Sequence, residues 1–356
     1  MTKVKVLLLG AAFSADLHMD AYSRCMGIAE IVGICDKNVE NIKALAKKYE
    51  LKDFAIYDDF KTAIEEVECD VVDICLPNFL HYAAAMEAFK KNRNIISEKP
   101  LATTVEDAEK MVATAKKIGK KIYYAEDWLF APAVNRVREL IEEGAIGKPL
   151  YIRARECHSG SHSIFTQSIK SCGGGCMIHL GIHPIGFILA LKNGEWTELM
   201  GMTSGGGESN INHQQMEGED WSVCTMRFSD GTSALLEANY LTMGGMEDVI
   251  DVYGTEGCLH VDLTFSSAIN GFSVPGFKYT VEKAEITTGW AKPVVDEKHS
   301  LGYVDEIRHF MECLIKNEDA KIGLRGIDGL ESLKVVKLVY KSSKEGIKIV
   351  NDRQFC

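Results

Sequence analysis

The first eighteen residues, MTKVKVLLLGAAFSADLH (1–18), decide how the rest of the chain is read. A basic start followed by an apolar run is also how a secretory signal peptide begins. Here the apolar run is short and breaks at Gly10, and a polar, helix-like segment follows. Strand, glycine and helix in that order open a βαβ unit, so the segment reads as the first strand of a cytosolic domain.

The same alternation continues outward from it. EIVGICD (30–36) is a strand ending in an acid, and NVENIKALAKKYE (38–50) is a helix. DVVDICLP (70–77) and NIISEKP (94–100) are strands, followed by the helices HYAAAMEAFKKN (81–92) and VEDAEKMVATAKKIG (105–119). KIYYAEDW (121–128) closes the series. Val- and Ile-rich strands separated by amphipathic helices imply right-handed βαβ crossovers and a parallel sheet. With 356 residues the chain is too long for one ordinary core, and two domains are expected: 1–125, a Rossmann domain, and 126–356, a substrate and oligomerisation α/β domain whose C-terminal helices can pack back on the first.

The second part has a different grammar. PAVNRVRELIEEG (132–144) is a helix with proline at its start and glycine at its end. WSVCTMRFSDGTSALLEANYL (221–241) is a pair of strands around Asp230-Gly231, and EDVIDVYGTEGCLHVDL (247–263) is a second hairpin turning at Gly254–Gly257. The fold class is therefore α/β, an N-terminal parallel Rossmann sheet plus a C-terminal α/β domain with a mainly antiparallel open sheet. A net charge of −11 without a long Lys/Arg cluster speaks against nucleic acid, and no apolar run is long enough to cross a bilayer. Eleven scattered cysteines, many inside apolar strands, read as reduced thiols of a cytoplasmic protein.

Gly10, Ala12 and Ala15 form G-x-A-x-x-A between the first strand and the first helix. A dinucleotide fingerprint prefers glycine at the second position, where the backbone meets the pyrophosphate, and a methyl is the smallest intrusion there. A plain strand-to-helix turn is the competing reading. Asp36, at the end of the second strand, sits where an acid binds the adenosine ribose hydroxyls. A carboxylate there repels a 2′-phosphate and favours NAD over NADP, a preference that Lys37 softens.

LPNFLH (76–81), SEKP (97–100), EEGAIGKPLYI (142–152), GGGCMIHLGIH (173–183), YGTEGCL (253–259) and GYVDEIRHF (302–310), together with the Gly10 turn, resemble the Gfo/Idh/MocA oxidoreductases, the family of glucose–fructose oxidoreductase and inositol dehydrogenase. The resemblance runs over essentially the whole chain. It implies NAD(P)-linked oxidation or reduction at a hydroxyl-bearing carbon of sugars, cyclitols or their derivatives. It also implies that Gly10, Ala12, Phe13, Ser14 and Ala15 cradle the dinucleotide, with Asp36 and Lys37 at its ribose. Leu76, Pro77, Asn78, His81, Glu98 and Trp128 line the cofactor, and Lys99 lies by the nicotinamide and the reacting hydroxyl.

In GGGCMIHLGIHP (173–184) the family pattern resembles G-G-G-x-x-x-D-x-G-x-H, and this chain has His179 where Asp is usual and keeps His183. A neutral imidazole accepts through one nitrogen and donates through the other. Read as one helix, the segment puts both imidazoles on one face, with a kink at Pro184, and its three glycines let the backbone approach a ligand or cofactor. The expected mechanism has His183 as general base, Lys99 on the same oxygen, and His179 positioning a neighbouring hydroxyl or tuning His183; Lys99 as base with His183 as its partner is the internal alternative. Cys172, Cys176, His179 and His183 are all zinc-compatible, but one helix cannot easily turn four such side chains to one tetrahedral point, and no metal is expected.

YYAEDWLFAP (123–132) and ECHSGSHS (156–163) form the expected substrate wall. Trp128 suits stacking on a sugar face or the nicotinamide, Asp127 suits sugar hydroxyls, and His158 and His162 are further substrate candidates; an interface tryptophan and a solvated loop are the competing readings. The wall carries no phosphate-specific cluster, so a neutral polyol or glycoside is favoured, with glycoside 3-dehydrogenases as the specific branch considered. An NAD-dependent glycosidase working by oxidation and elimination, and a non-catalytic nucleotide sensor, are the competing classes. A homo-oligomer, dimer, tetramer or larger, is expected through the C-terminal sheet.

Overall fold

The structure is a computed structural model that describes residues 3–161, 163–264, 267, 269–277, 287–293 and 295–351. In chain order its first elements are β1 (Val4–Leu9), α1 (Phe13–Ser23), β2 (Ala29–Cys35), α2 (Val39–Lys48), β3 (Ala55–Tyr57), α3 (Phe60–Glu66), β4 (Val71–Ile74), α4 (Asn78–Lys90), β5 (Asn94–Glu98), α5 (Val105–Ile118) and β6 (Ile122–Ala125). A 3-10 turn, Asp127–Phe130, follows. Then come α6 (Pro132–Glu142), β7 (Pro149–Cys157), α7 (Ile169–Cys172), α8 (Cys176–His179), α9 (Ile182–Leu191), β8 (Trp196–Thr203), β9 (Trp221–Phe228), β10 (Ser233–Asn239), β11 (Glu247–Gly254), β12 (Cys258–Asp262), β13 (Gly271–Ser273), β14 (Gly289–Ala291), α10 (Glu297–Ser300), α11 (Tyr303–Lys316), α12 (Gly326–Glu345) and β15 (Ile349–Val350). The chain forms two compact units, Met1–Phe130 with Gly302–Glu331, and Ala131–Leu301 with Ser332–Cys356.

Among the described residues, the first unit carries a six-stranded sheet in the order β3-β2-β1-β4-β5-β6, parallel throughout. Its strands are apolar because helices cover both faces: all four residues of β4 are buried, as are five of the six in β1. The helices begin where short polar side chains offer an oxygen to the first turn, Asn38 to Glu40 N–H, Asp59 to Thr62 N–H and Thr104 to Asp107 N–H. Strand order reverses between β1 and β4, the place where open α/β sheets bind ligands. The sequence reading passes over β3 and α3, since a three-residue strand carries no period to detect. Residues 302–331 stand with this unit because α11 packs on α1 and on the Asp127–Phe130 turn, and Tyr124 N–H donates to Leu324 O.

The second unit's seven-stranded sheet runs β12-β11-β7-β10-β9-β8-β15, with β7–β10 its one parallel pair among the described residues. Both expected hairpins form. The β9–β10 turn closes with Gly231 at φ +88, and β11 pairs with β12. Alternation sends Ser222, Cys224, Met226 and Phe228 with Ala234, Leu236 and Ala238 to the buried face, under α8 and α9. Met200, Met202 and Arg227 stand exposed on the other face. Among the described residues no single helix is long and apolar enough to cross a membrane.

One expectation fails here. Residues 176–191 are two helices, α8 and α9, and the segments Ile169–His179 and Ile182–Leu191 meet at 55°. The break is at Leu180-Gly181, not at Pro184. Proline stands in the first turn of α9, where its missing N–H would have had no intrahelical partner. A side chain at Gly181 would place its Cβ 2.3 Å from Met177 Sδ.

Candidate functional site

At the end of β1, Gly10 has φ +103, and a Cβ there would stand 2.3 Å from the Cys75 carbonyl oxygen. Only glycine lets the chain turn this close to β4. Ala12 is the N-cap of α1 and has no side-chain oxygen to offer, so the first-turn N–H groups have no side-chain cap. Ala12 and Phe13 are exposed, Ser14 is half-buried and Ala15 is buried. Asp36 holds the turn from the side: Oδ2 accepts Ala11 N–H at 2.8 Å and Oδ1 accepts Asn38 N–H at 2.8 Å. Each oxygen keeps acceptor capacity for a hydroxyl. Lys37, next to it, is exposed. An uncapped helix start, a tight glycine and a fixed acid one strand away fit a dinucleotide.

Leu76, Pro77 and Asn78 are half-buried at the start of α4, which likewise lacks a side-chain cap. His81 is fully buried, with Nδ1 2.8 Å from Pro100 O and Nε2 2.7 Å from Leu76 O. It straps two turns together, so any part it plays at a cofactor runs through the backbone it holds.

Below the Gly10 turn lies a network that sequence reasoning missed. His18 of α1 is wholly buried, with Nδ1 2.9 Å from Asp73 Oδ2 and Nε2 3.2 Å from Glu98 Oε1. Tyr22 donates to the same Asp73 oxygen at 2.8 Å, and Glu98 Oε2 accepts the Lys99 N–H at 3.0 Å. Burial alone lowers an imidazole's pKa, but the charge of Asp73 and the Cys75 thiol beside it outweigh that and hold His18 well above its usual value. Burial likewise pushes Glu98 up, and the His18 hydrogen bond and charge reverse the shift. A buried cation between two anions therefore positions the Glu98-Lys99 step. The ligand atoms of His18, Asp73 and Cys75 lie within 4.8 Å of one another, a grouping that their mutual hydrogen bonds account for. Lys99 is half-buried, while Asp127 and Trp128 are buried in the 3-10 turn.

In the second unit the glycine run serves the protein itself. A Cβ on Gly174 would stand 2.2 Å from Tyr340 Oη, and one on Gly175 would stand 2.1 Å from Glu219 O. The close approach expected toward a ligand is thus made, among the described residues, to Tyr340 and the backbone of residue 219. Glu219 accepts Gly175 N–H at 3.0 Å, Met177 N–H at 2.8 Å and Tyr340 O–H at 3.0 Å. This fixes the start of α8 and, through it, His179.

The imidazoles do not share one helix face. His183, in the first turn of α9, is 3 % exposed, with Nε2 3.9 Å from Glu156 Oε2 on β7. His179, half-exposed at the end of α8, has Nδ1 2.5 Å from the hydroxyl of Tyr240, just past β10. His158 packs on the same tyrosine, ring centroids 5.1 Å apart, and meets His179 edge-on at 6.2 Å. His213 Nε2 donates to Tyr240 O at 2.8 Å. Cys176 turns away to β10, where Sγ donates to Ala238 O at 3.1 Å. His162 lies outside the described residues. Glu156, Tyr240, His213 and Glu219 were not anticipated. Tyr240 closes a strand that reads as ordinary sheet, and His213 lies in a loop without a motif.

Residues 4–126 match the model of the GFO/IDH/MocA oxidoreductase family, NAD-binding Rossmann fold, and residues 134–260 match that family's C-terminal domain. D-glucoside 3-dehydrogenase of Escherichia coli is 32% identical over 186 residues, which is 51% of this chain and 52% of the relative, so that match spans about half of each. D-apiose dehydrogenase of Paraburkholderia graminis is 26% identical over 97% of this chain and 88% of its own. Among solved structures, GenD2 from gentamicin A biosynthesis in complex with NAD superposes with a TM-score of 0.88 at 19% identity, covering 99% of this chain and 97% of its own. Myo-inositol 2-dehydrogenase from Lactobacillus plantarum superposes at 0.83 and 18%, covering 98% and 99%; both show the shared fold. The chain belongs to the GFO/IDH/MocA oxidoreductase family and carries its NAD-binding Rossmann domain.

Proposed function

We propose that this protein oxidises a ring hydroxyl of a sugar, glycoside or cyclitol, with C3 of a glucoside as the first candidate. The observation that carries the reading is His183, an almost fully buried imidazole with the Glu156 carboxylate 3.9 Å away. A neutral imidazole there takes up a hydroxyl proton, and the carboxylate stabilises the cation that forms. Lys99 hydrogen-bonds the hydroxyl oxygen and steadies its developing charge, and Glu98 orients Lys99 through its backbone N–H. His179 holds a neighbouring substrate oxygen, with His158, His162 and Asp127 as further contacts; Trp128, 1 % exposed, shapes the wall more than it offers a stacking face. Bound NAD supplies the hydride acceptor. Gly10, Ala12, Phe13, Ser14 and Ala15 receive its phosphates, Asp36 and Lys37 its ribose, and the Leu76–Asn78 turn with Glu98 and Lys99 its nicotinamide half. The likeness to D-glucoside 3-dehydrogenase supports the substrate class.

Buried, reduced cysteines such as Cys35, Cys75 and Cys224 support a cytoplasmic location. The exposed Met200 and Met202 on one sheet face support a homo-oligomer. The test is NADH formation by absorbance, with purified protein, NAD and a panel of O- and C-glucosides, free sugars and inositols, the same wells being analysed by mass. NADH with a keto product is the expected result. Oxidised or cleaved product without NADH points to the recycling glycosidase route, and no product with either NAD or NADP overturns the reading.

A further inference from the structure

Three loops of the second unit meet at Tyr240. The first follows β7, the second joins β8 to β9, and the third follows β10. Gly160 of the first packs on the second, where a Cβ would stand 3.3 Å from His213 Cε1. Glu217 N–H of the second donates to Gln167 O of the first at 3.0 Å. Thr242 N–H of the third donates to His158 O at 3.2 Å, and His213 Nε2 to Tyr240 O at 2.8 Å. The second loop is also braced from inside. Buried Asn210 donates its amide to the carbonyls of His213, Met216 and Gly218. Buried Asp220 accepts the backbone N–H groups of Ile211, Asn212 and His213. Buried polar side chains satisfied in this way hold a loop in one conformation.

What the braced loop holds outward is Ile211, 60 % exposed. Its neighbours do the same: Ile164 is 78 % exposed on the first loop, with Phe165 exposed beside it, and Met243 is 76 % exposed on the third. A lone exposed apolar side chain is ordinary; large ones on each of three loops tied together at one candidate site call for an occupant. We propose that Ile164, Phe165, Ile211 and Met243 form the subsite for an apolar aglycone, so that the substrate is an aryl or alkyl glycoside. The inference rests on the sugar-oxidising reading above and narrows it. A free sugar or a cyclitol is hydroxylated around its ring and carries nothing to cover these side chains. A glycoside carries both surfaces, a polar ring for the imidazoles around Tyr240 and an apolar group for the rim. Met243, unbranched, adapts to aglycones of different shape. Met200 and Met202, read above as an oligomer contact, stand on the sheet face away from α8. The rim is instead tied to Tyr240, whose hydroxyl meets His179 at the end of α8.

Kinetics of the full chain with NAD test this on methyl and phenyl glucosides of the same anomeric form. The phenyl glucoside is expected to have a kcat/KM about tenfold higher, with the advantage in KM, because its ring covers apolar surface that a methyl cannot reach. Ile211→Ser and Met243→Ser should each lower that ratio several-fold, and Met200→Ser should leave it intact. Both rim side chains are exposed, and Asp220 holds residue 211 by its backbone N–H, so the brace survives either change. Equal kcat/KM for the two glucosides, or a preference that both rim variants keep, overturns the proposal while sugar oxidation stands. Rim variants that keep the preference but break up an oligomer in sedimentation assign the surface to a second copy of the chain. No oxidised product from any glucoside, sugar or inositol sinks the sugar reading itself, and the rim's role with it.

Discussion

Gly10, Asp36, Lys99 and His183 each owe their place to a local constraint, and each can be challenged singly. His183→Asn should leave NAD binding, followed by cofactor fluorescence or calorimetry, within a few-fold of wild type, whereas Lys99→Ala, beside the nicotinamide half, should weaken it by far less than it lowers turnover. Turnover on the substrate found by the panel should fall by roughly 10²–10⁴, the usual weight of a positioned proton-transfer group. Equal loss of cofactor binding would mean that the residues are structural. Asp36→Ala should weaken NAD and narrow its advantage over NADP by about tenfold or more, read as the ratio of the two kcat/KM values, since the variant removes both a ribose acceptor and the charge that repels a 2′-phosphate. These residues were legible because a motif holds each at a particular end of an element. Tyr240 was not: its hydroxyl matters only because His179 lies 2.5 Å away, sixty-one positions earlier in the chain.

At the scale of elements, the links that position functional groups pass between strands and helices distant in sequence. His18 ties α1 to β4 and β5 through Asp73 and Glu98. Removing the cation leaves two buried carboxylates facing each other, so His18→Gln should cost about 3–5 kcal/mol in urea unfolding, and adding Asp73→Asn should recover part of it. Because the folded pKa of His18 is raised, its contribution is complete below the ordinary histidine value of 6.5 and fades only as pH rises through the folded value. A penalty equally large at every pH, with no recovery in the double variant, would show that lost packing is the cause. The glycine run is an element-scale case as well. Its presence before an apolar helix was plain, and the close approach it permits was expected; the occupants, residue 219 and Tyr340, lie in segments whose proximity no local pattern encodes. The same holds for the helix break, since proline is the conspicuous residue but Gly181 is where the turn is made.

Over the whole molecule, the parallel sheet and the two hairpins could be read from periodicity and turn chemistry, and C-terminal helices able to pack back on the first domain were expected, while the exact segment that returns could not be read. The return of residues 302–331 to the first unit is a matter of tertiary packing by α11, and that helix brings Glu306 into a core already holding carboxylates. Burial, with Asp127 and Glu98 nearby, holds the Glu306 carboxyl well above its usual range, although the charge of His18 pulls the other way. A raised carboxyl pKa means that the folded state keeps a proton which the unfolded chain gives up once pH passes about 4.5. The unfolded state then binds fewer protons, so stability falls with rising pH by up to about 1.4 kcal/mol per unit, until the folded carboxyl itself ionises. Glu306→Gln keeps the shape and has no proton to lose. Measured by urea unfolding, the variant should match the wild type near pH 5 and gain on it progressively toward pH 8. A difference that stays constant across that range would mean that Glu306 ionises alike in both states, and that the buried charge balance of the first unit is set by His18, Asp73 and Glu98 alone.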